Sequence, residues 1–280
     1  MTSAGGAPLR AAAAALIVAA ALPAAAAEGT PRGGPADRFP RAGASYLVLR
    51  DGAVLWARHA HTPLPPASLT KLMTALVAVE QGWAPDAWIR VSARAARATG
   101  ARIGLRQREQ IRTADALAAT LVASGNDACL ALAEHVAGTA EAFVARMNQR
   151  ATELGLAGTR FENPCGHDDA HHRSTARDLA ALTRSVLAVP LLREVVARER
   201  VVLTTRSGRR IEAATRNSLL GRVRGLTGVK TGTTQAAGRC VIARAERGGT
   251  EVLVVLLDAP DRWWTAAALV EAAFEEPHRD

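Results

Sequence analysis

Apolar and polar positions change period twice along this 280-residue chain. Ser45 to Leu49 and Ala53 to Arg58 alternate on either side of Asp51-Gly52, the pattern of two strands joined by a tight turn. Pro63, Pro65 and Pro66 then stiffen a connection. Beyond it Leu69, Leu72, Met73, Leu76 and Val77 recur at helical spacing, which predicts a buried helix with Ser68 in its first turn. A helical middle follows. Thr113 is placed to cap a helix running through Ala123, a break falls at Ser124-Gly125-Asn126, and the helical period resumes from Ala128 to Val136. Further helices are predicted over Glu141 to Leu154, Ala176 to Val189 and Leu191 to Ala197. The strand period returns at Gly228 to Thr234, Arg239 to Ala245 and Glu251 to Leu257, with Gly248-Gly249 as a turn, and a helix from Trp263 to Phe274 comes last. Strands at both ends and helices between them predict an α+β fold of three-layer α/β/α type. One antiparallel sheet is built from both chain ends and covered by helices, beside a separate helical lobe. No repeat or internal linker interrupts this order.

The first residues follow a different rule. Arg10 precedes an unbroken apolar run, Ala11 to Leu22, then Pro23 and the small residues Ala25-Ala26-Ala27, the layout of a secretory signal peptide. The run is too short to span a bilayer. Residues 1–27 are therefore expected to be a signal peptide, 28–43, rich in Gly, Pro and Arg, a flexible leader, and 44–276 one folded domain. A periplasmic or other extracytoplasmic location is the expectation.

Composition narrows the class. Hydrophobic residues make up 49% and charged residues 22%, which excludes a disordered chain or a coiled coil. The net charge of +9 favours anionic partners such as nucleic acid, a lipid surface or cell-wall polymer, and export disfavours the first. Coding bias toward Arg is the plain alternative, with the charge as a solvated face. Of the 35 basic side chains only two are lysines, Lys71 and Lys230. Arg holds its proton at any working pH, whereas a Lys amine sheds its own when desolvated or set beside another cation. Three cysteines, Cys129, Cys165 and Cys240, allow at most one disulfide. Cys129 and Cys240 lie in apolar contexts and read as buried small hydrophobes, and the spacings fit no zinc motif.

Three short motifs carry candidate chemistry. Ser68-Leu-Thr-Lys71 puts a hydroxyl and an amine on one helix face, where an unprotonated Lys can take the Ser proton and the helix dipole favours the alkoxide. Ser124-Gly125-Asn126 sits at the helix break, where an ordinary turn would use the same residues. Lys230-Thr231-Gly232 falls in a predicted strand, offering a cation and a hydroxyl to a carboxylate beside a Gly that permits close approach. Singly each has a bland reading: a capping Ser with a surface Lys, a turn, an edge Lys.

In this order, on helix, inter-helix turn and strand, the three resemble the set found in penicillin-binding proteins and class A β-lactamases. The chain is similar to the D-alanyl-D-alanine carboxypeptidases and endopeptidases among the low-molecular-mass penicillin-binding proteins. The likeness runs from about Ser45 to Phe274 and includes Phe161-Glu-Asn-Pro-Cys-Gly166, Ser174-Thr-Ala-Arg-Asp-Leu-Ala180, Arg216-Asn-Ser-Leu-Leu220 and Ala236-Ala-Gly-Arg-Cys240. The resemblance implies Ser68 as acylated nucleophile, Lys71 as its base and Ser124 as proton relay to the leaving amine. Asn126 would bind the substrate backbone, Lys230 keep the site positive and Thr231 hold the terminal carboxylate. Gly232 would leave room for substrate, and the amides of Ser68 and Thr233 would form the oxyanion hole. It further implies peptidoglycan stem peptides as substrates, β-lactams as inhibitors, and neither cofactor nor metal.

Departures shape the remaining expectations. Where the family usually has Gly-Leu, this chain has Gly166-His167-Asp168-Asp169 followed by His171-His172, read as a polar surface loop in preference to a zinc site. Arg262 and Arg239 are local candidates for carboxylate binding. The sequence after the last helix shows neither the extra β-domain nor the amphipathic tail of anchored carboxypeptidases, which suggests a soluble enzyme nearer the endopeptidase branch. A class A β-lactamase is the nearest rival, but Glu162-Asn-Pro-Cys-Gly166 lacks the Leu-Asn ending of that class's water-activating segment. A non-catalytic wall-binding protein on the same fold and a zinc peptidase are more distant rivals.

Overall fold

The computed structural model describes residues 37–81 and 83–277, so the expected signal peptide lies outside the described residues. Strands β1 (Ser45–Arg50) and β2 (Ala53–Arg58) form the opening hairpin. Strands β7 (Leu226–Thr234), β8 (Gly238–Arg247) and β9 (Thr250–Leu257) supply the rest of a five-stranded sheet in the order β2-β1-β9-β8-β7, every pairing antiparallel. The two chain ends meet at β1 and β9, as expected.

Period-two alternation buries both faces of this sheet. Tyr46, Val48, Val241, Val252, Val254 and Leu256 pack against Ala266, Leu269, Val270 and Ala273 of the last helix, α8 (Arg262–Glu275). Their neighbours Leu47, Leu49, Ile242, Leu253, Val255 and Leu257 enter the larger core on the other face. That core is shared with α1 (Lys71–Glu80), α3 (Thr113–Leu121), α4 (Asn126–Ala137), α5 (Ala140–Glu153), α6 (Ala176–Ala188) and α7 (Pro190–Val196). The three-layer arrangement and the helical lobe are thus both present.

Five short elements escape the sequence pattern. They are α2 (Ala93–Ala96) and two strand pairs, β3 (Trp88–Arg90) with β4 (Gln110–Arg112) and β5 (Arg200–Thr204) with β6 (Arg210–Ala214). In the first pair three residues per strand are too few to display a period, and in the second the exposed positions mix apolar Val202 and Ala214 with Arg200, Thr204, Arg210 and Glu212. Thr113 is the first helical residue and not the cap. The 28–43 leader is corrected over its described part: Ala42 is buried, Phe39 packs edge-on to Trp56 with centroids 5.2 Å apart, and Asp37 accepts from Tyr46 Oη at 2.7 Å. These few apolar and acidic side chains close the hairpin's outer face.

Cys129 is also corrected. It is buried but bonded to Cys165, joining α4 to the loop after α5, while Cys240 is free and buried. Among the described residues no single helix is long and apolar enough to cross a membrane.

Candidate active site

Ser68 lies in a 3-10 turn, Ala67–Thr70, that leads directly into α1. Lys71 Nζ is 2.8 Å from Ser68 Oγ and donates to the Cys165 carbonyl at 2.5 Å. Burial is the main reason its pKa falls well below the usual Lys value; the Lys230 ammonium lowers it further and Asp127 opposes the shift. An amine in that state is able to accept a proton.

Ser124 sits between α3 and α4 with a left-handed φ of 59°. Its Oγ accepts from Lys230 Nζ at 2.8 Å, and Lys230 also donates to Thr231 O at 2.9 Å. Burial lowers the Lys230 pKa to about 7, helped by Arg216 and Arg262. Two hydroxyl–amine pairs therefore stand in one cleft, contributed by α1, the α3–α4 turn and β7.

The cleft encloses about 680 Å³ and is lined by Ser68, Ser124, Asn126, Thr231, Gly232 and Thr233, with Thr99–Ala101, Gly166, His167, Thr215, Arg216, Ser218, Thr234, Arg262 and Trp263 completing the wall. None of these is a carboxylate. Asn126 donates through Nδ2 to Thr99 O at 2.6 Å and lies 3.1 Å from His167 Nε2, while its buried Oδ1 has no protein partner. Arg262 Nη1 donates to Gly232 O and Thr233 Oγ1, both at 2.6 Å. Arg239 instead donates to Pro260 O and is absent from the wall, so of the two arginine candidates only Arg262 reaches the cleft.

Gly232 lines the cleft and has a structural use beside the expected one. A Cβ there would stand 2.8 Å from Ala67 Cβ and 2.9 Å from Ser68 N, so its bareness lets β7 lie against the nucleophile turn. Gly166 presses on the same turn with φ of 82°, where a Cβ would overlap the Ala67 carbonyl.

The loop carrying Gly166 is not wholly the polar surface expected. Asp168, Asp169 and His171 are exposed, but His172 is buried and His167 is half-buried at the cleft. Among the described residues no group of three or more His, Cys, Asp or Glu is placed to hold a metal ion. Glu162 pairs with Arg160 and is not part of the cleft wall, while Asn163 Oδ1 accepts the amides of Cys165, Gly166 and His167. Sequence reasoning missed Asp127, whose carboxylate accepts from Ile103, Gly104 and Leu105 N–H at 2.9 to 3.2 Å and so ties down the segment that follows the Thr99–Ala101 rim, while the rim itself is bonded to Asn126 through Thr99 O and Ala101 O. An acid just inside a helix start is the signal that was there to read.

This fold and the two hydroxyl–amine pairs at its cleft are an arrangement suited to serine acyl transfer. A family model for D-alanyl-D-alanine carboxypeptidases matches residues 41–261, and the chain belongs to that family. It is 34% identical over 220 residues to D-alanyl-D-alanine carboxypeptidase DacF of Bacillus subtilis, covering 77% of this chain and 57% of the relative. It is 31% identical over 221 residues to the D-alanyl-D-alanine endopeptidase of Escherichia coli, covering 78% and 71%. Among solved structures, penicillin-binding protein D2 of Listeria monocytogenes in its ampicillin-bound form superposes with a TM-score of 0.74 at 29% identity, covering 84% and 99%. The chain thus spans less than two thirds of the length of DacF, and 58% of that of D-alanyl-D-alanine carboxypeptidase DacC of Escherichia coli, to which it is 33% identical over 236 residues.

Proposed function

We propose that this chain is a serine-type D-alanyl-D-alanine peptidase acting on peptidoglycan stem peptides from an extracytoplasmic compartment, and that β-lactams inhibit it. The observation that carries the reading is the buried, low-pKa Lys71 amine 2.8 Å from Ser68 Oγ. Lys71 takes the Ser68 proton as Oγ attacks the D-alanyl carbonyl, and the Ser68 and Thr233 amides receive the oxyanion. Ser124, hydrogen-bonded to Lys230, delivers a proton to the leaving amine. The substrate C-terminal carboxylate lies toward Thr231, Lys230 and Arg262. Asn126 Oδ1, lacking a protein partner, accepts a substrate backbone N–H. Water then hydrolyses the ester, regenerating Ser68.

The same wall argues against a β-lactamase. With no carboxylate among its residues, the wall lacks the base such enzymes use, and because the amine freed from a β-lactam ring stays tethered to the acyl group, water does not take its place as it does after a peptide's amine departs, so the adduct persists. The relatives include a carboxypeptidase and an endopeptidase by name; the open cleft suits a peptide tail, whether it ends free or continues into a cross-link. Labelled penicillin tests the chemistry and muropeptides test the bond cut. A stable adduct present in the wild type and absent in Ser68→Ala is expected. No adduct, or rapid turnover of penicillin, would sink the proposal, and products from pentapeptide against cross-linked muropeptides separate the two activities.

A further inference from the structure

The peptide unit between Ala67 and Ser68, which leads into the nucleophile, is fixed by groups outside the catalytic motifs. Ala67 has φ of 49°, a conformation a non-Gly residue keeps only when its surroundings impose it. Gly166 and Gly232 both approach this unit so closely that a Cβ at either would stand 2.9 Å from Ser68 N. Its carbonyl accepts from Thr70 Oγ1 at 2.8 Å. Thr70 Oγ1 in turn lies 2.7 Å from His172 Nε2, and His172 Nδ1 accepts from Glu162 N–H at 3.1 Å.

The direction of this chain follows from counting protons. Because Nδ1 accepts an amide proton, the ring's own proton sits on Nε2 and is donated to Thr70 Oγ1. The Thr70 hydroxyl proton is then committed to Ala67 O. Thr70 and His172 are 0% and 3% exposed, so water does not compete. The ring packs edge-on to Phe161 with centroids 5.7 Å apart. Burial brings the His172 pKa down to about 4, with His167 adding to the fall and Asp169, Glu162 and Asp168 opposing it, so the ring is neutral over the working range.

A trans peptide is planar, with its C=O and N–H pointing in opposite directions. Fixing the Ala67 oxygen therefore fixes the aim of the Ser68 N–H. We propose that His172 and Thr70 are positioning residues that orient the Ser68 amide, one of the two oxyanion-hole donors in the reading above, on which this inference rests. Neither side chain lines the cleft; both act through the Ala67–Ser68 peptide.

An oxyanion donor acts on the transition state more than on the bound substrate, and complete loss of one costs about 10² to 10³ in rate. A mis-aimed donor costs less. Thr70→Val and His172→Leu are each expected to lower the limiting acylation rate with labelled penicillin roughly tenfold to a hundredfold. The dissociation constant of the pre-acylation complex should stay within about twofold, and affinity for a D-alanyl boronic acid, a tetrahedral mimic, should fall in step with the rate. The double variant should be no slower than the slower single, because one relay is broken once. His172→Gln, whose amide N–H reaches the Nε2 position, should recover most of the rate, whereas the shorter His172→Asn should not. This Gln and Asn contrast serves as the test if the Leu variant fails to fold. Wild-type rates in the single variants, additive losses, equal rates for Gln and Asn, or a loss confined to binding would overturn the relay alone. A wild-type protein that never acylates would overturn the serine-acylation reading and the relay together.

Discussion

Two amines are buried beside one cleft, each with its pKa lowered chiefly by that burial, and this sets the site's response to pH. Lys71 works as a base only after losing its proton, and it is brought to that state chiefly by burial and secondarily by Lys230. Lys230 works as a cation and loses its charge near pH 7. Acylation should therefore rise as Lys71 deprotonates and fall as pH passes about 7, giving a bell-shaped profile. Lys71→Arg should abolish nearly all acylation, since a guanidinium does not give up its proton, while Lys230→Arg should keep activity and lose the alkaline limb. Stability runs the other way. The folded Lys230 value is depressed from the unfolded value of about 10.4, so the unfolded chain binds more protons between the two and stability increases with pH across that window. Stopped-flow acylation and thermal unfolding over the same buffers read both trends. Retained acylation in Lys71→Arg, or an unchanged alkaline limb in Lys230→Arg, refutes the division of roles. The two lysines were legible in the sequence because they are so few. His172 was not, because a His in a polar loop looks like a solvated group until burial is known, and Asp127 offered only its place just inside a helix start.

At the scale of elements the site depends on where helices stop. The α3–α4 break positions Ser124 and Asn126, and Asp127 in the first turn of α4 binds the loop opposite through three amides. Asp127→Asn keeps the volume but sets an N–H donor against N–H donors, replacing charge-assisted bonds worth roughly 1.5–3 kcal/mol each with unsatisfied groups. A loss of about 2–4 kcal/mol in stability is expected, with the segment that follows the Thr99–Ala101 rim loosened, so that pre-acylation binding weakens more than the limiting acylation rate. Calorimetry and acylation kinetics together check this; an unchanged Tm would remove Asp127 from the role. The same scale explains which elements the sequence revealed. The central sheet strands read as nearly continuous apolar runs because both faces are buried by different partners, and α1 shows its period in Leu72, Met73, Leu76 and Val77, its larger apolar side chains. The β3–β4 pair was invisible because each strand has three residues and Arg90 and Gln110 lie far apart in sequence, whereas β5–β6 is a local hairpin turning near Gly208 whose alternation is hidden by the exposed, apolar Val202. The nucleophile's own turn was read as α-helix because a 3-10 turn running into α1 leaves the same apolar spacing.

Across the whole molecule the disulfide bears on location. Cys129–Cys165 closes a separation of 36 residues, for which loop-closure entropy gives about 4 kcal/mol of stabilisation. Sequence alone left this pairing open, because three cysteines offer three pairings and spacing does not choose among them; α4 and the Lys71-contacting loop must first be brought together. Bonds of this kind persist outside the reducing cytoplasm, which agrees with the proposed export through residues 1–27. If both hold, protein recovered from the cell envelope should begin near Glu28. After denaturation it should take up one equivalent of thiol reagent, at Cys240, and three after reduction. Reduction should also lower Tm by roughly 10 °C, at about 2–4 °C per kcal/mol for a domain of this size. A chain starting at Met1, found in the cytoplasm with three reactive thiols, would refute the export proposal. A reduced cytoplasmic chain that still acylates normally would further show that the clasp between α4 and the loop is dispensable for aligning Lys71 with Ser68.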